Sequence, residues 1–527
     1  VGTRNLSGIS ANTTGSGSAG KIAIAANRFA VDGAVIQAFT NGPGDAGEIT
    51  VQANEIAVTG QGRLGGIDGG LFANSNTSLA GTGKAGAITL EAQRLSVRDG
   101  AGIYANSISA NPGGRVTVRA ADIEVSGQGL RPSSVSVGAP AAFGARGDGG
   151  TMQLVADRLT IRNGAIVEAS ALNGQGGTVN VQANTVNVLD GGNLGADGRN
   201  GGQLTVETGQ LRVQNGSFIS VGTLAGNAGG LVQIRARDRV EVLDSSGISA
   251  DAFGGQGGNV LVETQDFRLQ NLSTVSAGTF GRGVAGNVSV RGSNSVLVDR
   301  SFLGLSSLGT VTGGSLSIAT GNLTVQNGGG VVATLIGQGT GGDLRVAAGN
   351  LTVRESSFLT TSVVGQGQGG NLAVQVDGAI QLDQRGTIST AAFGAGRGGD
   401  LAIAARQLDV RNRSSINTLS AGDLTSATRS AVFGELQLDV FSASPFLSGL
   451  FQLVNTSALA ATEAGAVGQA GNLTVQVTET VAIANQGSFA TAAEGRANGG
   501  RLLLQTGNLN LGNGGSLLSD VNGPGRG

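Results

Sequence analysis

One phrase returns along nearly the whole of this 527-residue chain: a Gly-Gly or Ala-Gly pair followed by three short runs in which apolar and polar residues alternate. In one unit it reads Gly201-Gly202-Gln203-Leu204-Thr205-Val206, then Gln210-Leu211-Arg212-Val213-Gln214-Asn215-Gly216, then Phe218-Ile219-Ser220-Val221. The second residue of the opening pair falls at Gly202, Gly230, Gly258, Gly286, Gly314, Gly342 and Gly370, a period of about 28 residues. Upstream the phrase is traceable through Gly177, Gly150, Gly114, Gly86, Gly47 and Gly20, and downstream through Gly399, Gly471 and Gly500. That makes roughly 17 units if the long stretch 399 to 470 holds two of them.

Alternation with period two means strands, and the glycines that interrupt each unit leave no run long enough for a packed helix. A helical solenoid is thereby excluded, and a leucine-rich repeat lacks its helical half. Three short strands cannot bury their apolar face within one unit, nor satisfy their backbone hydrogen bonds; stacking unit on unit, about 4.8 Å apart, does both. The expected fold is all-β: a single right-handed parallel β-helix with three short strands and about 28 residues per coil, continuous over 1–527. Leu204, Leu344, Leu372 and Leu473 then form one inward aliphatic ladder, and Val206, Val346, Val374 and Val475 another. The glycine pairs mark corners, where either a positive φ or a close backbone approach is required.

Composition narrows the chemistry. Gly stands at 95 and Pro at 6, which fits neither collagen nor a Pro-rich disordered chain. With no Cys and no His, disulfides, thiol catalysis, thiolate metal sites and the commonest general base are all excluded. Charged residues are sparse at 13% and nearly balanced, so the chain has no electrostatic footprint for nucleic acid. No apolar run is long enough for a transmembrane helix. The chain opens on Val1-Gly2-Thr3 and stops at Gly523-Pro524-Gly525-Arg526-Gly527, which reads as a piece of a longer protein.

Extra residues break the period near 60–83, 127–148 and 421–468, and insertions in a solenoid are expected as side loops. Two of them share a tripeptide, Gly70-Leu71-Phe72 and Gly449-Leu450-Phe451, which makes Phe72 and Phe451 candidate partner-binding residues. Arg146-Gly147-Asp148 spells a tripeptide that resembles the integrin-binding sequence of some adhesins, at a unit boundary where short Gly/charged turns recur anyway. Asp99, Asp190, Asp244, Asp299, Glu355 and Asp383 follow the second run of their units and should line one corner, but Asn215, Asn271 and Asn327 occupy intervening coils. Acids about 10 Å apart cannot share a cation, so a solvated corner is expected there. Gly81-Thr82-Gly83-Lys84 lacks both the Ser or Thr and the helix of a phosphate loop. Phe143, Phe253, Phe280 and Phe393 each precede Gly near the end of the third run, as corner packing or as an aromatic strip for glycans. No cofactor is implied.

The phrases Gly-Asn-Leu-Thr-Val (321 to 325, 349 to 353 and 471 to 475), Gly-Thr-Ile-Ser-Thr (386 to 390) and Ala-Phe-Gly (392 to 394) together resemble the repeats of filamentous-haemagglutinin-like exoproteins, above all their cyanobacterial branch. The resemblance covers nearly the whole chain. It implies a two-partner-secretion substrate that crosses the outer membrane through a dedicated barrel and folds outside the cell as a β-helix. The family's N-terminal secretion domain, with its Asn-Pro-Asn-Gly type motif, is not in these residues. The expected role is therefore that of a non-enzymatic, secreted or surface-exposed stalk of an adhesin-like protein, with glycans or cell surfaces as partners. The rival is a β-helix that binds or cleaves polysaccharide. Hydrolysis needs paired carboxylates converging on the scissile bond, and the regular runs mostly offer Thr, Gln, Ala, Arg and Ser instead.

Overall fold

The computed structural model describes residues 7–60, 69–76, 83–127, 132–139, 145–224, 228–421, 468–494 and 497–522. Among them every regular element is a strand, the strands pair in parallel, and the chain is a β-solenoid with about 28 residues and three strands per coil. Its contacts divide it into two compact units, Val1–Val242 with Ser246–Ala252, and Leu243–Ser245 with Phe253–Gly527. Both are built in the same way.

The first two runs of a coil are usually one bent strand. In Glu48–Thr59 the inward residues are Ile49, Val51, Ile56 and Val58, all with no exposed surface. Strict alternation from Val51 would place residue 56 on the outer face; the odd step from 51 to 56 shifts the phase once, at Ala53-Asn54, where the strand turns a corner. Both halves therefore face the axis. Where glycine follows an acid at this bend, in Asp377-Gly378, the strand divides into Leu372–Val376 and Ala379–Asp383. The bend is lined by amides that bond from coil to coil, as from Asn54 to Asn27 at 2.6 Å and from Asn350 to Asn322 at 3.2 Å.

Register makes the core. In the second unit Leu316, Leu344, Leu372, Leu401 and Leu473 stack one above the next, beside Ile318, Val346, Val374, Ile403 and Val475. In the first unit Ile49, Ile88, Val116, Met152, Val179 and Leu204 form the equivalent column. None of these side chains is more than 2% exposed. The expected inward ladders are present, and each buried Leu or Val is stabilised by about 2 kcal/mol relative to water.

The glycine pairs answer to close approach rather than to backbone sign. A Cβ on Gly86 would lie 1.9 Å from the carbonyl oxygen of Gly47, and one on Gly114 the same distance from that of Gly86, while neither glycine has a left-handed φ. Any side chain there would push two coils apart.

Two expectations require correction. Gly70–Phe72 is not part of a side loop: it pairs with Val35–Gln37 on one side and Gly102–Tyr104 on the other, as the third strand of its coil. Ser134–Ser136, inside 127–148, is likewise a regular third strand. Nor does 399 to 470 hold two coils. Leu401–Val410 pairs directly with Leu473–Ile483, and Ser415–Ala421 with Ser488–Glu494, so the coils number about 16. Residues 422–467, including Phe451, lie outside the described residues.

Candidate functional site

The turn after the long strand is where the sequence places its acids. In most coils it holds two successive left-handed residues, although Gly33 and Arg300 stand alone, and the conformation costs an ordinary L-residue roughly 1–2 kcal/mol while Asn, Asp and Gly tolerate it best. In the first unit these are Asn163 (φ 54°) with Gly164, Asp190 (52°) with Gly191, and Asn215 (57°) with Gly216. Adjacent coils then bond through the side chains: the Asn215 amide donates to Asp190 at 2.8 Å. In the second unit Asn271 donates to Asp244 and Asn327 to Asp299, each at 2.8 Å, and Asn412 to Asp383 at 2.6 Å. Asp299 also accepts from Gln270 and Gln326, both at 3.2 Å, and the Arg411 guanidinium lies 3.4 Å from Asp383.

The expected corner is thus real, and the intervening asparagines are more than spacers: they are the donors that neighbouring carboxylates require. Among the described residues no group of three or more acids is placed to hold a metal ion. A shallow concavity of about 590 Å³ on the long-strand face of the first unit is lined by Gln52, Asn54, Glu91, Gln93 and Arg119 together with alanines. It contains one carboxylate, not a converging pair.

The tripeptide Arg146-Gly147-Asp148 is woven into the stack. The Arg146 and Gly147 N–H groups donate to the Ser109 carbonyl at 3.3 and 3.2 Å. The Asp148 carboxylate accepts the Gln175 N–H at 2.8 Å, and its carbonyl accepts that of Gly113 at 2.9 Å. Gly147 is buried, with the Asn111 carbonyl 1.9 Å from where a Cβ would sit. Arg146 and Asp148 remain exposed. Asp148 nevertheless does what Asp343 does when it accepts the Asn371 N–H at 2.9 Å: it ties one coil to the next.

Phe72 also changes character. It is 6% exposed, and its ring lies 5.5 Å from that of Tyr104 in the next coil. It is an outward residue packed against its neighbours rather than a free recognition residue. In the second unit Phe253 and Phe280 stack at 5.4 Å with ring planes 18° apart. Strand register continues that column through Leu308, Ile336, Val364 and Phe393. Phe253 through Ile336 are partly exposed, whereas Val364 and Phe393 are buried. Phe143 lies outside the described residues.

Sequence reasoning passed over two acids. Glu168 and Asp197 sit on the outer side of the third face of the first unit, in adjacent coils, and both are partly buried. Burial pushes the Glu168 carboxyl above the usual range; hydrogen bonds from Ser170 and Ser136 oppose the rise and the nearby Asp197 charge adds to it. Burial likewise raises Asp197, against bonds from the Gly222 N–H at 2.5 Å and the Ser220 hydroxyl at 3.1 Å. A signal was present in the sequence for Glu168, since its position in the third run is Ser136, Gly195, Ser220 and Ser249 in neighbouring coils.

No family model matches the chain, and neither a curated protein nor a solved structure matches it. No helix among the described residues is long and apolar enough to cross a membrane.

Proposed function

We propose that this chain is the non-enzymatic stalk of a filamentous-haemagglutinin-like exoprotein, secreted or held at the cell surface, where it serves attachment or the structure of the envelope and matrix. The observation that carries the reading is where the polar side chains are directed. Asn215, Asn271, Asn327 and Asn412 bond the coil before them, and Asp148 and Asp343 accept N–H groups of the coil after them. Chemistry that an enzyme would aim at a substrate is here aimed along the stack, which suits a scaffold. The absence of Cys suits export of an unfolded chain. By the resemblance, an outer-membrane barrel is the secretion partner.

Beads coated with the purified chain test the proposal. They should adhere to cells or glycan-coated surfaces above a bovine albumin control, with no release of reducing ends from acidic polysaccharides. Cleavage of any such polysaccharide would overturn the reading in favour of an enzyme. A second reading, polysaccharide binding without cleavage, is favoured by the partly exposed column Phe253, Phe280, Leu308 and Ile336, because sugar rings stack on apolar and aromatic faces. Replacing both phenylalanines by Ser would abolish glycan capture on that reading and leave it unchanged on the first.

A further inference from the structure

Glu168 and Asp197 are a pair made by coil closure. Glu168 is in register with Gly195, two residues before Asp197, and with Ser136 in the coil before. Everything that bonds their carboxylates is neutral: Ser136 and Ser170 at Glu168, Ser220 and the Gly222 N–H at Asp197. Among the described residues, the charged and titratable groups on the surrounding elements give no compensation. Arg199, two residues beyond Asp197, is exposed and in no ion pair with either acid. Asp251 follows in the coil after Gly222, Tyr104 lies in the coil before Ser136, and the Asp148 carboxylate accepts the Gln175 N–H. Two carboxylates in adjacent coils, partly withdrawn from water and bonded only by neutral donors among the described residues, each hold a proton more readily than they would in water.

We propose that the Glu168 and Asp197 pair is a proton-responsive element, which takes up protons on acidification and tightens the coils of the first unit around the third strands 134–136, 166–168, 193–195 and 218–220. The sign follows from linkage. Both carboxyls titrate above their unfolded range, so over that window the folded state binds more protons than the unfolded one. The stabilisation is fully present below the unfolded values and is lost as pH rises through the folded ones. At this site acid strengthens the fold, the reverse of the behaviour of a salt-bridged carboxylate. The inference is independent of the stalk reading.

The test is thermal melting of the full chain and of Glu168→Gln and Asp197→Asn, from about pH 7.5 to about pH 4.5. At neutral pH each variant should melt about 1–2 °C above the wild type, and the gap should close on acidification. A variant that melts at or below the wild type at neutral pH, or a gap that is constant with pH, overturns the proposal. Hydrogen exchange of the wild type supplies a second readout that needs no variant. After correction for intrinsic rates, the amides of 166–168 and 193–197 should gain protection in acid relative to those of 49–58. Equal or opposite change overturns it.

Discussion

The third face differs between the two units. In the first, its strands are three residues long, as at Val35–Gln37, Gly102–Tyr104 and Phe218–Ser220. In the second, Thr274–Ser276 and Ser516–Leu518 are also three residues long, but Phe302–Thr312 and Gly330–Thr340 have 11 each, Phe358–Gly365 has 8, and Thr387–Phe393 has 7. The adjoining turn also differs. Asn163, Asp190 and Asn215 of the first unit are each followed by a left-handed glycine, whereas the second unit places Leu272 (φ 62°), Arg385 (66°), Arg413 (63°) and Gln486 (64°) in that conformation. A strained residue persists where the surrounding structure over-determines it. Arg385, Arg413 and Gln486 precede third strands of seven residues, but Leu272 precedes the three-residue Thr274–Ser276 and Gly328 the 11-residue Gly330–Thr340, so the pairing around each turn, not strand length alone, sets which residue it holds.

The comparison can be broken most forcefully in the core, which it treats as alike in both units. Leu204→Asp and Leu372→Asp each bury an unpaired carboxylate in a dry column, and both should cost several kcal/mol and abolish a cooperative melt. An unchanged midpoint for either would show that its column is not the core. Next comes backbone approach: Gly86→Val, with the Gly47 carbonyl in its way, should lose about 3 kcal/mol in denaturant unfolding.

The turn ladder sharpens the contrast. Asn215→Leu removes the amide bonded to Asp190 and puts a branched side chain at a left-handed position, so it should cost about 2 kcal/mol in all. Asn327→Leu carries the same backbone strain but should cost about 0.5 kcal/mol less, since Asp299 keeps Gln270 and Gln326. Equal costs, measured by denaturant unfolding, would mean that the ladder is redundant everywhere. The smallest effect is a gain: Arg385→Gly, at an exposed left-handed position with no side-chain partner among the described residues, should add about 0.5 kcal/mol. No gain would show that Arg385 has no strain to relieve.

Much of this was legible beforehand because stacking repeats the same local problem in every coil. Leu344 and Leu372 are identifiable as core from alternation alone, and the 28-residue step supplies their register. Coil number was overcounted by one because periodicity cannot tell an insertion from an irregular coil, whereas the direct pairing of Leu401 with Leu473 can. Phe72 was misplaced for a similar reason: Gly70-Leu71-Phe72 is too short to show alternation, and only its two pairing partners identify it as a strand.

What the amino-acid order determined by itself is the winding, an aliphatic axis with polar corners, since period-two runs broken by glycine have no other way to bury their apolar side. What the tertiary structure alone decided is which polar group meets which. Asn327 finds Asp299 at 28 residues' distance, and Glu168 comes beside Asp197 only when a coil closes. Such pairings depend on the height of one coil and the phase of one bend, and neither quantity is local to any stretch of chain.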